Sequence, residues 1–276
     1  MSDKATQFRS DMSDIIRHIY KLPVIFMTKV LKNNKTISEN YALLGKLINE
    51  HLDLFPDKKK TLEICHTGKF LMFFDNLTIL EVTEKPDFIL FDGNNQIGLE
   101  HQIIVESKSK EREGFFENIF SLAEIELKED RELPNFLASC YIEPYANFKL
   151  NEKEYLIETV KKVVKEYVLN NNFIENPLIE SLFIQPHTQK NIHANMGAWW
   201  QKNITLEAIE NAIKKKNAKI STYKEKGINT QWLLLVIGSS GDSSFEMDKN
   251  LKLEMETEFD KVFVLEDLRN VLYELK

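Results

Sequence analysis

Residues 85–105, KPDFILFDGNNQIGLEHQIIV, constrain this chain more than any other stretch, because three polar side chains are set inside two segments with the composition of buried β-strands. Pro86-Asp87 opens Phe88-Ile89-Leu90-Phe91, and Glu100 and Gln102 lie between Ile97-Gly98-Leu99 and Ile103-Ile104-Val105. The Gly- and Asn-rich stretch 92–95 predicts a hairpin turn between them. Side chains two apart on a strand share a face, so Glu100 and Gln102 project together, opposite Leu99, His101, Ile103 and Val105, and the hairpin brings Asp87 near the same polar face. Two carboxylates held together on a rigid sheet repel each other and are costly to desolvate unless a proton or cation lies between them. Oxygen-only donors with open positions suit Mg²⁺ or Mn²⁺, which leave waters for a phosphate substrate. The plainer reading is that Asp87 caps a turn while Glu100 and Gln102 line the wet face of an antiparallel sheet.

The pattern Pro86-Asp87, twelve intervening residues, then Glu100-His101-Gln102 resembles the core motif of the PD-(D/E)xK nuclease superfamily. Most members carry Lys where this chain has Gln102. The resemblance implies that Asp87 and Glu100 hold Mg²⁺ or Mn²⁺, that the backbone carbonyl of His101 completes the protein ligands, and that Gln102 places the attacking water. A neutral amide orients water only by hydrogen bonds, so the metal must supply more of the activation. The superfamily also tends to have a Glu on a helix before the first core strand, and Ser38-Glu39-Asn40-Tyr41 resembles that element, with Ser38 as N-cap and Glu39 able to hold a second metal or a water. Equally, an acid in a first helical turn complements the helix dipole. A second match, Glu106-Ser107-Lys108, heads a continuously polar stretch and reads as a solvated charge run at the strand's exit.

The implied fold is α/β (α+β): a restriction-endonuclease-like core with a central mixed sheet flanked by helices, plus N-terminal helices, in one domain over residues 1–276. The implied activity is a metal-dependent phosphodiesterase, endo- or exonuclease, acting on DNA, and a homodimer is expected if both strands are cut. The alternative is a catalytically inactive relative that binds nucleic acid or a protein partner.

Composition bounds these readings. With 43% apolar residues and 18 Phe, the chain can bury one sizeable core or two small ones. No run of about 18 apolar residues is present and the first residues lack the order of a signal peptide, so a cytoplasmic protein with no membrane role is expected. Cys65 and Cys140 read as reduced, buried thiols, and the six His lack zinc-ligand spacing. A net charge of −7 argues against non-specific coating of nucleic acid but leaves room for local binding. Lysines cluster at 214, 215, 216, 219, 224 and 226 on a helix capped by Thr205 and ended by Gly227. Its apolar stripe, Leu206, Ile209, Ile213 and Ile220, leaves the lysines outside. They read as a solvated face or, with Lys216, Lys219 and Tyr223 in front, as contacts to a nucleic-acid backbone.

The remaining periodicity predicts a helical part over residues 1–60, with Ile15-Ile16, Ile19-Tyr20 and Ile25-Phe26 in a helical pair and then a helix over 38–54. The motif-bearing core spans 61–145: a strand pair over 70–82 turning at Asp75-Asn76, the site hairpin, a helix over 114–127 and a strand over 136–142. The remainder, 146–276, supplies a helix over 152–169, a short strand over 179–184 and an irregular stretch whose Trp199-Trp200 form either a core plug or a substrate-facing surface. A central strand over 231–237 follows, then two closing strands over 261–265 and 271–275. Residues 238–244, GSSGDSS, read as the most flexible segment; they match neither a phosphate loop nor a nucleophile elbow.

Overall fold

The computed structural model describes residues 25–51, 57–146, 149–196, 201–224, 227–248, 251–254 and 256–276. The expected helical pair at Ile15-Ile16 and Ile19-Tyr20, the end of the helix expected to reach residue 54, Trp199-Trp200 and Lys226 lie outside them.

The site hairpin forms as the sequence predicts. Phe88–Phe91 (β4) pairs antiparallel with Gln96–Ile103 (β5), Phe88 opposite Leu99. Asp92 Oδ1 accepts the N–H groups of Asn94 and Asn95, and Gly93 takes φ 97°, a conformation that glycine adopts without strain. Thr78–Val82 (β3) adds to the other side of β4. Thr230–Ile237 (β10) runs parallel to β5 on one side and to Lys261–Glu266 (β13) on the other, which explains a strand apolar on both faces. Val271–Glu274 (β14) and Lys29–Leu31 (β2) complete a seven-stranded mixed sheet in the order β2-β14-β13-β10-β5-β4-β3.

Helices flank this sheet. On one face Ile37–His51 (α1) and Lys58–Leu71 (α2) pack through Leu47, Ile64, Phe70 and Leu71 onto Phe88, Leu90, Leu99 and Leu234. On the other, Leu206–Asn217 (α5) and Ile220–Lys224 (α6) pack through Ile209, Ile213 and Ile220 onto Leu233, Leu235 and Val264. A second core lies between β5 and β10 in sequence. Ser107–Glu129 (α3) and Lys153–Asn170 (α4) cover a three-stranded sheet of Phe136–Ile142 (β6), Ile179–Pro186 (β7) and Asn191–Asn195 (β8). Among the described residues no helix is long and apolar enough to cross a membrane.

Four expectations are corrected. Ile25–Met27 (β1) and Lys29–Leu31 are strands rather than helix; the segment is rich in β-branched and aromatic residues, and pairing with β14 gives Lys29–Leu31 a ladder that no local helix could better. Residues 70–74 end a helix instead of starting a strand: the buried stripe of α2 includes Lys60, Glu63, His66, Thr67 and Gly68, too polar for apolar periodicity to reveal. The strand over 136–142 joins the second sheet, and β10 takes the place beside β5. Finally, residues 191–195 form a strand inside the stretch expected to be irregular.

The segment 238–244 is tied down. Ser243 and Ser244 are buried. The Glu113 carboxylate accepts the Ser243 N–H at 2.7 Å and its hydroxyl at 2.8 Å, and the Glu106 N–H donates to the Ser243 carbonyl at 2.7 Å. A Cβ at Gly241 would stand 2.5 Å from Glu113 Oε1 and would push that carboxylate off Ser243. Glu106 caps α3, accepting the N–H groups of Lys108 and Ser109, so Glu106-Ser107-Lys108 is a helix start. Glu113→Ala strands the two Ser243 donors in a buried place and is expected to cost about 1–3 kcal/mol, read as a lower midpoint in chemical denaturation with unchanged slope.

Candidate functional site

The register of β4 on β5 places Asp87, just before β4, across from Glu100, and the alternation of β5 puts both on the face covered by α5 and α6. Both are nearly buried, at 9% and 2% exposure. The peptide units flanking the His101 Cα link them to the rest of the site: the His101 N–H donates to Asp87 Oδ2 at 2.8 Å, and its carbonyl accepts the Lys216 ammonium at 2.9 Å. The same ammonium stands 2.5 Å from Glu100 Oε1. Gln102 Oε1 is buried with no hydrogen-bond partner, and the Tyr223 hydroxyl lies beside Glu100.

The cleft in front of these groups encloses about 500 Å³ and draws its walls from α2, β5 and α5. Lys59, Lys85, Lys215, Lys216 and Lys219 meet Glu63, Glu84, Asp87 and Glu100 around it. Glu63 is buried on α2 and pairs with the Lys60 ammonium at 2.7 Å. Burial pulls the Lys60 pKa down, but the hydrogen bond and charge of Glu63, with Asp87 and Glu84 beyond, raise it overall. Asp87 is pushed up to about 6, first by burial and then by the charge of Glu100, which the His101 N–H and Lys216 only partly offset.

The His101 ring points to the opposite face, as expected, and meets His66 of α2, Nε2 to Nδ1, at 3.0 Å. Burial, the neighbouring His66 and the charge of Lys216 hold its pKa well below the usual value, so the ring is neutral and what it offers the cleft is its peptide.

The structure brings Asp87, Glu100, the His101 carbonyl, Gln102, Lys216 and Lys219 to one cleft. It does not bring Glu39 there. That carboxylate is exposed and accepts both the N–H and the hydroxyl of Thr36 at 2.7 Å, while Thr36 Oγ1 accepts the Glu39 N–H, a capping box in which Thr36 rather than Ser38 is the cap. The buried helical Glu that lines this cleft is Glu63, which the sequence reading missed; its signal was the repeat Lys60, Glu63, Ile64, Thr67, Leu71 at helical spacing. Tyr223 is 1% exposed, its hydroxyl lying against Glu100, whose charge together with burial raises the phenol pKa. It is walled off from any nucleic-acid backbone, and the Lys216 ammonium is turned inward, leaving Lys219 at the rim.

No protein-family model matches the chain, and no solved structure matches it. An arginine–tRNA ligase of Borrelia hermsii (strain HS1 / DAH) is 30% identical over 106 residues, a stretch covering 37% of this chain and 18% of that protein. The chain thus spans less than a fifth of that relative's length.

Among the described residues no three His, Cys, Asp or Glu side chains form a metal-holding group. The donors that converge are two carboxylates and one backbone carbonyl. A folded-state pKa of about 6 at Asp87 means that the fold prefers the protonated acid. Stability is therefore lost as pH rises from the ordinary carboxylate range to about 6, and stays lost above it. Asp87→Asn is expected to raise stability by about 1–3 kcal/mol at pH 8 in EDTA and to give no gain at pH 4, measured by thermal melts across that range.

Proposed function

We propose that this cleft is the centre of a metal-dependent phosphodiesterase acting on nucleic acid, with DNA as substrate, as the PD-(D/E)xK resemblance implies. The observation that carries the proposal is that a cation, the Lys216 ammonium, lies on Glu100 and the His101 carbonyl, while the N–H of the same His101 holds the Asp87 carboxylate beside them. Further support comes from the order α2, three-strand meander β3-β4-β5, then α5-α6 and β10, which agrees with the helix, three strands, helix, strand that the resemblance would require of a core, with the unit that carries the second sheet inserted.

The donor set fits Mg²⁺ or Mn²⁺. A raised Asp87 pKa beside a second nearly buried carboxylate is what a pair short of positive charge displays, and hard oxygen donors with room for water are what these ions take. When bound, such an ion lowers the pKa of a water and neutralises charge on the phosphoryl oxygens. Gln102 has a free carbonyl oxygen with which to accept a water proton and orient the molecule for in-line attack. Lys216 supplies the positive charge that Gln102 lacks, reaching the centre from α5 instead of from β5. In the reaction the water oxygen bonds to phosphorus as a bridging P–O bond breaks; the water's proton passes to solvent and the departing oxygen takes one up. Lys59, Lys85, Lys215 and Lys219 hold flanking phosphates, a local basic rim in a chain of net charge −7.

The Lys216–Glu100 ion pair also favours a second reading, in which the lysine permanently replaces the metal and the protein binds nucleic acid or a partner without cutting. Supercoiled plasmid and single-stranded DNA, each with Mg²⁺, Mn²⁺ or EDTA, separate the two. The enzyme reading expects metal-dependent cutting that falls by at least about a hundredfold in a folded Asp87→Ala protein. Gln102→Lys should retain the metal requirement. Absence of cutting under all conditions supports the second reading.

A further inference from the structure

We propose that Lys216 is a built-in stand-in for the divalent cation, and that a metal ion takes its place between Glu100 and the His101 carbonyl only by displacing the ammonium toward the mouth of the cleft. This rests on the reading of the cleft as a metal-dependent centre and concerns how that centre is loaded.

The lysine's two contacts are the starting point. Its Nζ lies 2.5 Å from Glu100 Oε1 and 2.9 Å from the His101 carbonyl oxygen, so it uses two of the three oxygen donors that a divalent ion would use. Both cannot be held at once, because an ammonium and a metal ion repel and the carbonyl faces one of them. The compensation that lysine gives is incomplete. One positive charge serves two nearly buried carboxylates, Glu100 and Asp87, and is in contact with Glu100 alone of the pair. A divalent ion answers both charges and so has the advantage once it is abundant enough.

The lysine is also free to leave. It sits in the last turn of α5, its side chain is 12% exposed, and the cleft beside it encloses about 500 Å³. Four methylenes let the ammonium swing outward without moving the helix. Its new surroundings are the rim of Lys215 and Lys219, where a single cation more is unfavourable until a phosphate arrives. Metal binding and phosphate binding therefore assist one another: the ion frees the lysine, and the phosphate gives it a partner. In the absence of metal the lysine supplies that partial compensation of the carboxylate pair.

Titration of the folded protein with Mn²⁺ in a calorimeter, without nucleic acid, tests this on binding alone. Lys216→Met is expected to bind Mn²⁺ at least about tenfold more tightly than the wild-type protein, the factor for no longer breaking a charge-assisted contact. Lys216→Gln serves if the Met protein fails to melt cooperatively. Lys215→Met removes the same charge from the exposed rim and is expected to change affinity by no more than about twofold. Wild-type binding with unchanged or weaker affinity in a folded Lys216 variant, or an equal gain in Lys215→Met, overturns the stand-in while leaving the metal centre intact. No binding by the wild-type protein or any variant overturns the metal centre and the stand-in with it.

Discussion

Two carboxylates on neighbouring strands, both nearly out of solvent, must be compensated before this sheet can close over them. Each surrounding element meets part of that requirement. β5 lends the His101 N–H to Asp87, α5 sends Lys216 to Glu100, and α2 places Lys60 within electrostatic reach of Asp87 while pairing it with Glu63. The compensation is nonetheless partial, as the raised pKa of Asp87 records. Incomplete neutralisation costs stability, and such costs concentrate at functional sites. That is the physical reason for regarding the cleft as a working centre and not as a buried polar patch that happened to be tolerated.

The parts legible in the sequence were those written in local patterns. The hairpin follows from its turn and from strand alternation, the central strand from an apolar run on both faces, and the helix Lys153–Asn170 from an apolar stripe. What escaped depended on contacts distant along the chain. The buried stripe of α2 mixes Lys60, Glu63, His66 and Thr67 with Ile64, Phe70 and Leu71, so periodicity passed over the helix and Glu63 with it. Lys216 resembled its exposed neighbours Lys214 and Lys215, and only the crossing of α5 over β5 turns it inward. Tyr223 follows the same logic, its hydroxyl buried against Glu100.

The PD-(D/E)xK resemblance would put a lysine at Gln102. An ammonium nonetheless reaches Glu100, from a helix more than a hundred residues further along the chain. Charge at a site is set by what converges in space, and a long stem on a packed helix can deliver it as well as a strand can. Between the two halves of this arrangement lies the unit built on β6, β7 and β8, with its own core. It meets the main sheet through Glu113 and the 238–244 turn, so that α3 is clamped to the segment leaving β10 beside the site strand.

We propose that Asp87, Glu100 and the His101 carbonyl together form a place for a divalent cation. Anomalous diffraction from crystals grown with Mn²⁺ addresses it without relying on a substrate. One strong peak is expected at about 2.1–2.3 Å from oxygens of Asp87, Glu100 and the His101 carbonyl, with the Lys216 ammonium moved away. A well-ordered site with no peak, and with Lys216 still bonded to Glu100 at saturating Mn²⁺, would contradict it.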